Sequence, residues 1–189
     1  RIHAKLANQA HTLGAFLSPT GIYPVYYTRK LSWFVQVTPF IPLILDAQDY
    51  TRRPSELKTL HFASPAHAQT AFVALNSNLF YWLITTSSDC RNLNMREVLG
   101  LPLDLASIQP VLLQELCQLA QQLTEDLRTH ASMQSMTFQG QGRLTIQCMH
   151  PARSKRLIDE ADRLLARHYA FSPEELDFLL HYDEKYRQP

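Results

Sequence analysis

The sequence predicts an α+β fold, in which a small mixed, mostly antiparallel sheet packs on helices. Three observations predict it: alternating apolar residues near the start, leucines at helical spacing in the middle, and a Gly-Gln-Gly tripeptide between two late alternating arms. The chain has 189 residues, 46% of them hydrophobic and only 5 glycines. This composition suffices for a sizeable core and excludes the disordered and collagen-like classes.

The first sheet is predicted from the front of the chain. Residues 22–28 and 33–37 alternate between core-facing and outward-facing side chains, which is typical of strands. The connection between them would display Arg29 and Lys30 at its tip. Residues 57–62 form a third candidate strand.

Helices are predicted to cover this sheet. Ser64-Pro65 is a helix start, because serine caps and proline fits the first helical position. Apolar residues then recur at helical spacing, and residues 79–85 form a second helix that is apolar nearly all round.

The rest of the chain is predicted as a helical spacer, a hairpin and a two-helix tail. We expect one region over residues 1–105, a β-rich core with buried helices, and another over residues 106–189. The later elements are a long helix over 109–130, a hairpin over 136–149, and helices over 154–169 and 173–182, the last opened by the capping box Ser172-Pro173-Glu174-Glu175.

Charge and cysteines give limited information about partners and compartment. The formal net charge is +1, but the first 60 residues carry seven basic against three acidic residues, and residues 143–156 carry four basic and no acidic ones. Cys90, Cys117 and Cys148 show no paired spacing, so we expect buried free thiols in a reducing cytoplasm and no metal site. No apolar run approaches the roughly 18 residues of a membrane span, so no membrane association is expected.

Four groups of basic and amide side chains are candidates for nucleic-acid contact. Arginine matches phosphates and guanine edges, and asparagine matches adenine edges. For the polar loop around residues 89–96, a purely structural role is the alternative: Asp89 or Asn92 caps a helix, and the arginines pair with Asp89 or Glu97. The candidates are Arg29 and Lys30 at the strand end; Arg52 and Arg53 in the loop over 46–54; Arg91, Asn92, Asn94 and Arg96 in the polar loop; and Arg143, Arg153, Lys155 and Arg156 around the hairpin and the next helix start.

Basic residues at a helix start are poorly placed for the helix dipole, which favours anions there. Together with the free backbone N–H groups there, these basic residues would form a phosphate-binding site: Arg153, Lys155 and Arg156. The alternative is an ordinary solvated patch.

Catalytic motifs are absent from the sequence. It contains no GxGxxG, P-loop, GxSxG or HExxH pattern, so no catalytic residue is assigned. One set of residues resembles the carboxylate–Glu-x-Lys arrangement that holds Mg²⁺ in many nucleases, although Pro54 interrupts it: Asp49, Glu56 and Lys58.

Two stretches, residues 75–98 and 158–187, together resemble a known family. Residues 75–82 read LNSNLFYW and residues 88–98 read SDCRNLNMREV; residues 158–187 contain IDEAD, HY, EELDF and YDEKYR. These motifs resemble the C-terminal target-recognition domain of adenine-N6 DNA methyltransferases, in particular type IIG restriction–modification enzymes of the TaqI-like specificity class. The resemblance begins near residue 23.

The resemblance implies a DNA-recognition module without its catalytic half. Family members hold S-adenosylmethionine and an Asn-Pro-Pro-Tyr/Phe motif in a separate N-terminal domain, and neither that motif nor a nuclease domain occurs here. We therefore expect no cofactor in this chain, S-adenosylmethionine in the missing domain, and double-stranded DNA plus a methyltransferase domain, in cis or in trans, as partners. The resemblance also implies a proline-containing apolar strand at Leu99–Leu103.

Two other functions remain open. One is a protein-interaction module that docks a methyltransferase or other partner through the helix over 109–130 and the acidic tail. The other is a freestanding Mg²⁺-dependent nuclease that uses Asp49, Glu56 and Lys58. The first amino acid, Arg1 rather than Met, suggests a fragment of a longer protein.

Overall fold

The predicted α+β class is confirmed in a computed structural model that describes residues 1–31, 33–140 and 142–187. The helices are α1 (Ile2–Leu6), α2 (Pro65–Asn76), α3 (Asn78–Ser87), α4 (Met95–Leu99), α5 (Pro110–Thr129), α6 (Lys155–Tyr169), α7 (Pro173–Leu180) and α8 (Glu184–Arg187). The strands are β1 (Tyr23–Thr28), β2 (Val37–Thr38), β3 (Ile44–Leu45), β4 (Leu57–Phe62), β5 (Ser132–Phe138) and β6 (Gly142–Cys148). Ser32 in the first predicted connection, Gln141 at the hairpin tip, and Gln188 and Pro189 in the tail lie outside the described residues.

The first sheet has the strand order β2-β1-β4 and is antiparallel. Strand β1 pairs along its whole length with β4, from Tyr23 opposite Phe62 to Thr28 opposite Leu57. Val25 and Tyr27 on β1 are buried, so this face of the sheet packs on α2. The predicted alternation along β1 is therefore the pattern of a sheet with one covered face.

The second predicted strand, over residues 33–37, is wrong except at its end. Only Val37 and Thr38 pair with β1, opposite Tyr27 and Tyr26. The residues before Val37 are held by the end of the chain instead: the Trp33 carbonyl accepts a hydrogen bond from Arg187 Nε, and the Phe34 ring centre lies 4.3 Å from the Arg187 guanidinium carbon.

Helices α2 and α3 begin at serine caps. The Ser64 hydroxyl accepts a hydrogen bond from the His67 backbone N–H, and the Ser77 hydroxyl accepts one from the Phe80 N–H. The predicted start at Ser64-Pro65 is confirmed. The second helix is longer than predicted and runs from Asn78 through Ser87.

The predicted hairpin is confirmed, and it begins earlier, at Ser132. Gly140 and Gly142 have φ of 79° and 75°, a conformation that glycine adopts without steric cost. The two-residue strand β3 adds to the other side of β6, with Ile44 opposite Ile146. This pairing joins residues from the first predicted region to the second.

One continuous core includes both predicted regions. The leucine stripe of α5 is buried against α2 and α6, and α7, which begins with the predicted capping box at Ser172, packs on α6. Residues from both sides of position 105 contribute to the same apolar cluster. Within the described ranges, every helix is too short or too polar to cross a lipid bilayer.

The strand expected at Leu99–Leu103 is wrong. Residues Met95–Leu99 instead form helix α4, which ends at Gly100. Leu101 and Leu103 are buried in a segment without regular secondary structure, and the Leu101 carbonyl accepts a hydrogen bond from the Leu13 N–H. Pro102 between them has no backbone N–H for a strand ladder.

Candidate nucleic-acid interface

Two groups of predicted DNA-binding residues meet at the end of β1. The backbone N–H of Leu93 donates to the carbonyl of Arg29 at 2.7 Å, and Lys30 and Asn92 form an antiparallel bridge. The end of β1 therefore pairs with a loop more than 60 residues later in the chain. We call the surface formed by Arg29, Lys30 and residues 91–96 the basic edge.

Buried apolar side chains anchor the basic edge from below. Leu93 and Val98 are 1% and 0% exposed, so the loop is anchored at its middle and just after its end. The Tyr27 hydroxyl donates to the Met95 Sδ at 3.6 Å, which links β1 to the start of α4. Burial raises the pKa of Tyr27, so this phenol keeps its proton and stays a donor.

The loop itself is shaped by Asp89. Its carboxylate accepts hydrogen bonds from the backbone N–H groups of Arg91 at 3.0 Å and Asn92 at 3.5 Å. These bonds hold the pKa of Asp89 below its usual range. Asp89 therefore has a structural role, but in a turn. The predicted helix cap at Asp89 or Asn92 is wrong, because the N-cap of α4 is Asn94 and makes no side-chain hydrogen bond there.

The cationic side chains of the basic edge remain accessible. Lys30, Arg91, Asn92 and Arg96 are exposed, while Arg29 and Asn94 are half-buried. Arg96 donates to Glu97 at 3.0 Å, as the alternative interpretation predicted, yet its side chain is 87% exposed. Exposed guanidinium groups on a fixed backbone are chemically suited to contact phosphates or base edges.

Elsewhere in the molecule, a buried polar cluster joins helices α3, α6 and α8 to the segment at Trp33. The Asp162 carboxylate on α6 accepts hydrogen bonds from the Asn78 and Leu79 backbone N–H groups, both at 2.8 Å, and from the Asn78 amide at 2.7 Å. It therefore caps helix α3 from outside that helix. Burial raises the pKa of Asp162 to about 7, against the opposing effect of these donors.

Arg187 of α8 completes the buried cluster. Its Nε donates to the Trp33 carbonyl at 2.8 Å, and its Nη1 donates to the side-chain oxygen of Asn78. The guanidinium carbon lies 4.3 Å from the Phe34 ring centre and 4.2 Å from that of Tyr81. Burial lowers the pKa of Arg187, and the planar cation is compensated on its faces by the two rings.

Sequence reasoning missed this buried cluster. Asn78, Asp162 and Arg187 all belong to the stretches that carry the family resemblance, but their chemistry suggests surface residues when each is taken alone. The available signal was an aspartate on the apolar side of a predicted helix. Asp162 follows Ile158 by four residues and precedes Leu165 by three, and all three are 1% exposed.

The remaining arginines of the front region belong to the other sheet. The Arg52 N–H donates to the Ile44 carbonyl at 2.8 Å, and the Arg52 side chain donates to Asp46 at 3.0 Å. Arg53 follows it and is exposed. Because β3 pairs with β6, these residues share a sheet with Arg143, whose guanidinium contacts the Ser135 hydroxyl at 3.3 Å. The structure thus divides the predicted contacts between two sheets.

At the predicted phosphate-binding site, the start of α6, only two of the three basic side chains are available to a ligand. Lys155 is the first residue of the helix, but its ammonium pairs with Asp159 and donates to the Leu180 carbonyl. This lysine therefore ties α6 to the end of α7. Arg153 and Arg156 are exposed on either side of it.

The nuclease-like residues Asp49, Glu56 and Lys58 do not form a recognisable metal site in the described residues. Asp49 lies in a turn with φ of 62°, and Lys58 is exposed on β4. Among residues 1–31, 33–140 and 142–187, no three histidine, cysteine, aspartate or glutamate side chains are grouped as metal ligands.

The cysteines correct one expectation. Cys117 and Cys148 are half-buried, and burial raises the pKa of both thiols. Cys90 is instead exposed, with φ of 58°, in the loop that carries the basic edge. The prediction of three buried thiols is therefore wrong.

Three comparisons, with protein-family models, with curated proteins and with solved structures, found no match for this chain.

Proposed function

We propose that this chain is a DNA-binding target-recognition module that confers sequence specificity on an adenine-N6 DNA methyltransferase of a restriction–modification system. The catalytic domain, with its S-adenosylmethionine site, would be supplied by another part of the protein or by a partner. The observation that carries the proposal is the backbone pairing of the β1 end with the polar loop, Leu93 to Arg29.

This pairing matters because it combines two kinds of recognition chemistry on one rigid surface. Lys30, Arg91 and Arg96 offer exposed cations for phosphates, and Asn92 offers an amide for a base edge. The turn made by Asp89 orders the loop before any ligand binds, which reduces the entropy lost on binding.

The test is fluorescence anisotropy against a random-sequence duplex of about 30 base pairs over a salt series. If the basic edge contacts phosphates, the logarithm of affinity falls with the logarithm of salt, by about 0.9 for each phosphate neutralised. Lys30→Ala and Arg91→Ala should each weaken binding. Arg163→Ala removes the same charge from the exposed side of α6, where Arg163 pairs with Glu160, and is the matched control.

Absence of binding by the full chain at low salt would contradict the proposal, as would equal losses in Arg91→Ala and Arg163→Ala. The second result would indicate that only the overall charge matters.

A second candidate function is docking of a methyltransferase domain. The surface available for it is the hairpin, not α5. The leucine stripe of α5 is already occupied by the core. Strand β5 has no charged residue, and Met133, Met136 and Phe138 on it are exposed by 48%, 39% and 41%. Such a strand can accept a partner.

Capture of a purified adenine-N6 methyltransferase domain by the wild-type chain, and its loss in Met136→Lys, would support docking. The control is Gln134→Lys, which adds the same charge to the same strand without removing an apolar side chain. Equal capture by wild type and Met136→Lys would contradict it.

A further inference from the structure

A cavity of about 400 Å³ opens beside the basic edge. It is lined by Leu31, Trp33, Tyr81, Thr85, Cys90 and Asp183. Leu31 directly follows Lys30, and Cys90 directly precedes Arg91. The cavity is therefore built by the chain neighbours of the residues proposed to contact DNA.

The walls of this cavity are aromatic and preorganised. The Trp33 ring is 53% exposed and stacks on Tyr186, with ring centres 5.0 Å apart and planes 10° from parallel. The Trp33 carbonyl is held by the buried guanidinium of Arg187. An exposed tryptophan whose backbone is fixed from within offers a flat surface at little entropic cost on binding.

The polar groups of the cavity are few and differ in availability. The Cys90 thiol and the Thr85 hydroxyl are engaged with backbone carbonyls of α3. The half-buried Asp183 already accepts a hydrogen bond from the Tyr81 hydroxyl, and its carboxylate has further lone pairs for a second donor. The cavity thus combines a flat aromatic wall, the apolar Leu31 and one strong acceptor.

We infer that this cavity accepts a single unpaired nucleobase that bears an exocyclic amino group, extruded from DNA held at the basic edge. The base would stack on Trp33, its amino group would donate to the Asp183 carboxylate, and its flanking phosphates would lie among Lys30, Arg91 and Arg96. This inference rests on the proposed DNA-binding function. It adds that the module recognises an unstacked base as well as the duplex.

The test compares a fully paired duplex with duplexes that carry one unpaired adenine or one unpaired thymine. The chain has two tryptophans, and Trp82 is only 7% exposed, so a Trp82→Phe background assigns fluorescence quenching to Trp33. We expect the unpaired adenine to quench Trp33 and to bind more tightly than either other duplex. Trp33→Ala should weaken binding of the adenine duplex by about 5-fold to 150-fold, the range for loss of one base–aromatic stack, and leave the paired duplex unchanged.

Asp183→Asn tests the acceptor separately. Asp183 has φ of 55°, a conformation that asparagine tolerates, so this variant should fold normally. It should reduce the preference for unpaired adenine over unpaired thymine, because a carboxylate is replaced by an amide that donates as well as accepts.

The outcomes separate this inference from the proposed function. If all duplexes bind equally and Trp33→Ala changes none of them, the cavity inference is overturned while DNA binding stands. If no duplex binds at low salt, both are overturned. If Trp33 is quenched by a methyltransferase domain without DNA and never by an unpaired base, the cavity is part of a protein interface and the inference is wrong.

Discussion

The buried cluster and the basic edge come from the same sequence motifs, but they lie in opposite environments. Asn78, Asp162 and Arg187 are 0%, 1% and 1% exposed and bonded to one another or to backbone. Arg91 and Arg96 lie on the surface of a loop whose shape is set by backbone hydrogen bonds. Polar residues within one motif can therefore serve two purposes, one group holding the scaffold and the other facing a ligand.

The physical reason for the division is the cost of burial. A charge removed from water must be compensated by hydrogen bonds and counter-charges. Asp162 obtains hydrogen bonds from the start of α3, and Arg187 lies over the rings of Phe34 and Tyr81. An exposed arginine needs no such compensation, so it stays free to exchange water for phosphate. The two regions should respond differently to substitution: the first in stability, the second in binding.

The largest effect is expected at the centre of the buried cluster. Asp162→Ala leaves the N–H groups of Asn78 and Leu79 without their acceptor in a dry environment, and we expect a loss of about 3–5 kcal/mol in the free energy of unfolding. Urea unfolding followed by circular dichroism measures it. Asp177→Ala, at an exposed aspartate of α7, is the control and should change stability by less than about 0.5 kcal/mol. Similar losses in both variants would contradict the role of Asp162.

The second effect is a dependence of stability on pH. Burial raises the pKa of Asp162 to about 7, so between about pH 4.5 and 7 the folded protein retains a proton that the unfolded chain has released. Asp162 should therefore contribute a fall in stability as pH rises through this window, by at most about 1.4 kcal/mol per pH unit. The carboxyl groups of Asp89 and Glu97, whose pKa values are lowered, act in the opposite direction and at lower pH.

Asp162→Asn isolates this contribution, because it removes the titrating group. The difference in stability between wild type and variant, measured by urea unfolding at several pH values, should shrink as pH rises from 4.5 to 7. A difference that is constant with pH would show that Asp162 stays ionised in the folded protein throughout.

The third prediction asks which sheet binds DNA. Arg91→Ala should reduce the slope of the salt dependence by about 1 if its guanidinium neutralises one phosphate, with stability changed by less than about 0.5 kcal/mol. Arg53→Ala and Arg143→Ala make the same charge change on the β3-β6-β5 sheet. A reduced slope in Arg91→Ala alone would limit contact to the basic edge. Reduced slopes in all three would indicate that DNA spans both sheets, and an unchanged slope in Arg91→Ala would contradict the assignment of the basic edge.

Elements with strong local signals were predictable from sequence. The caps at Ser64 and Ser172, the leucine stripe of α5 and the glycines of the hairpin each act within a few residues, so the pattern and the structure agree. Strand β3 has only two residues, and its pairing with β6 depends on a contact across about 100 residues of chain. Hydrophobic periodicity reports only on neighbouring residues, so it cannot predict such a contact.

The same limit applies to the candidate site. The residue types of the basic edge identified Arg91 and Lys30 as candidates, but not their shared surface, which is created by the bridge between Lys30 and Asn92. The buried cluster was missed because its members compensate one another only after α3, α6 and α8 have packed. Tertiary packing therefore decides which polar residues of a motif remain available.

The smallest effect is expected at Asp89. This residue is exposed, like the arginines of the basic edge, but it shapes the backbone, as the buried cluster does. Asp89→Asn keeps the side-chain oxygen that accepts the Arg91 and Asn92 N–H groups and removes a negative charge beside the basic edge. DNA affinity at low salt should rise slightly. Asp89→Ala removes the same charge and also the acceptor, so the loop loses its order and the gain should be cancelled or reversed. Amide hydrogen exchange at Arg91 and Asn92 should accelerate in the alanine variant only. If both variants bind DNA equally and exchange equally, the turn does not position the loop, and charge alone accounts for the basic edge.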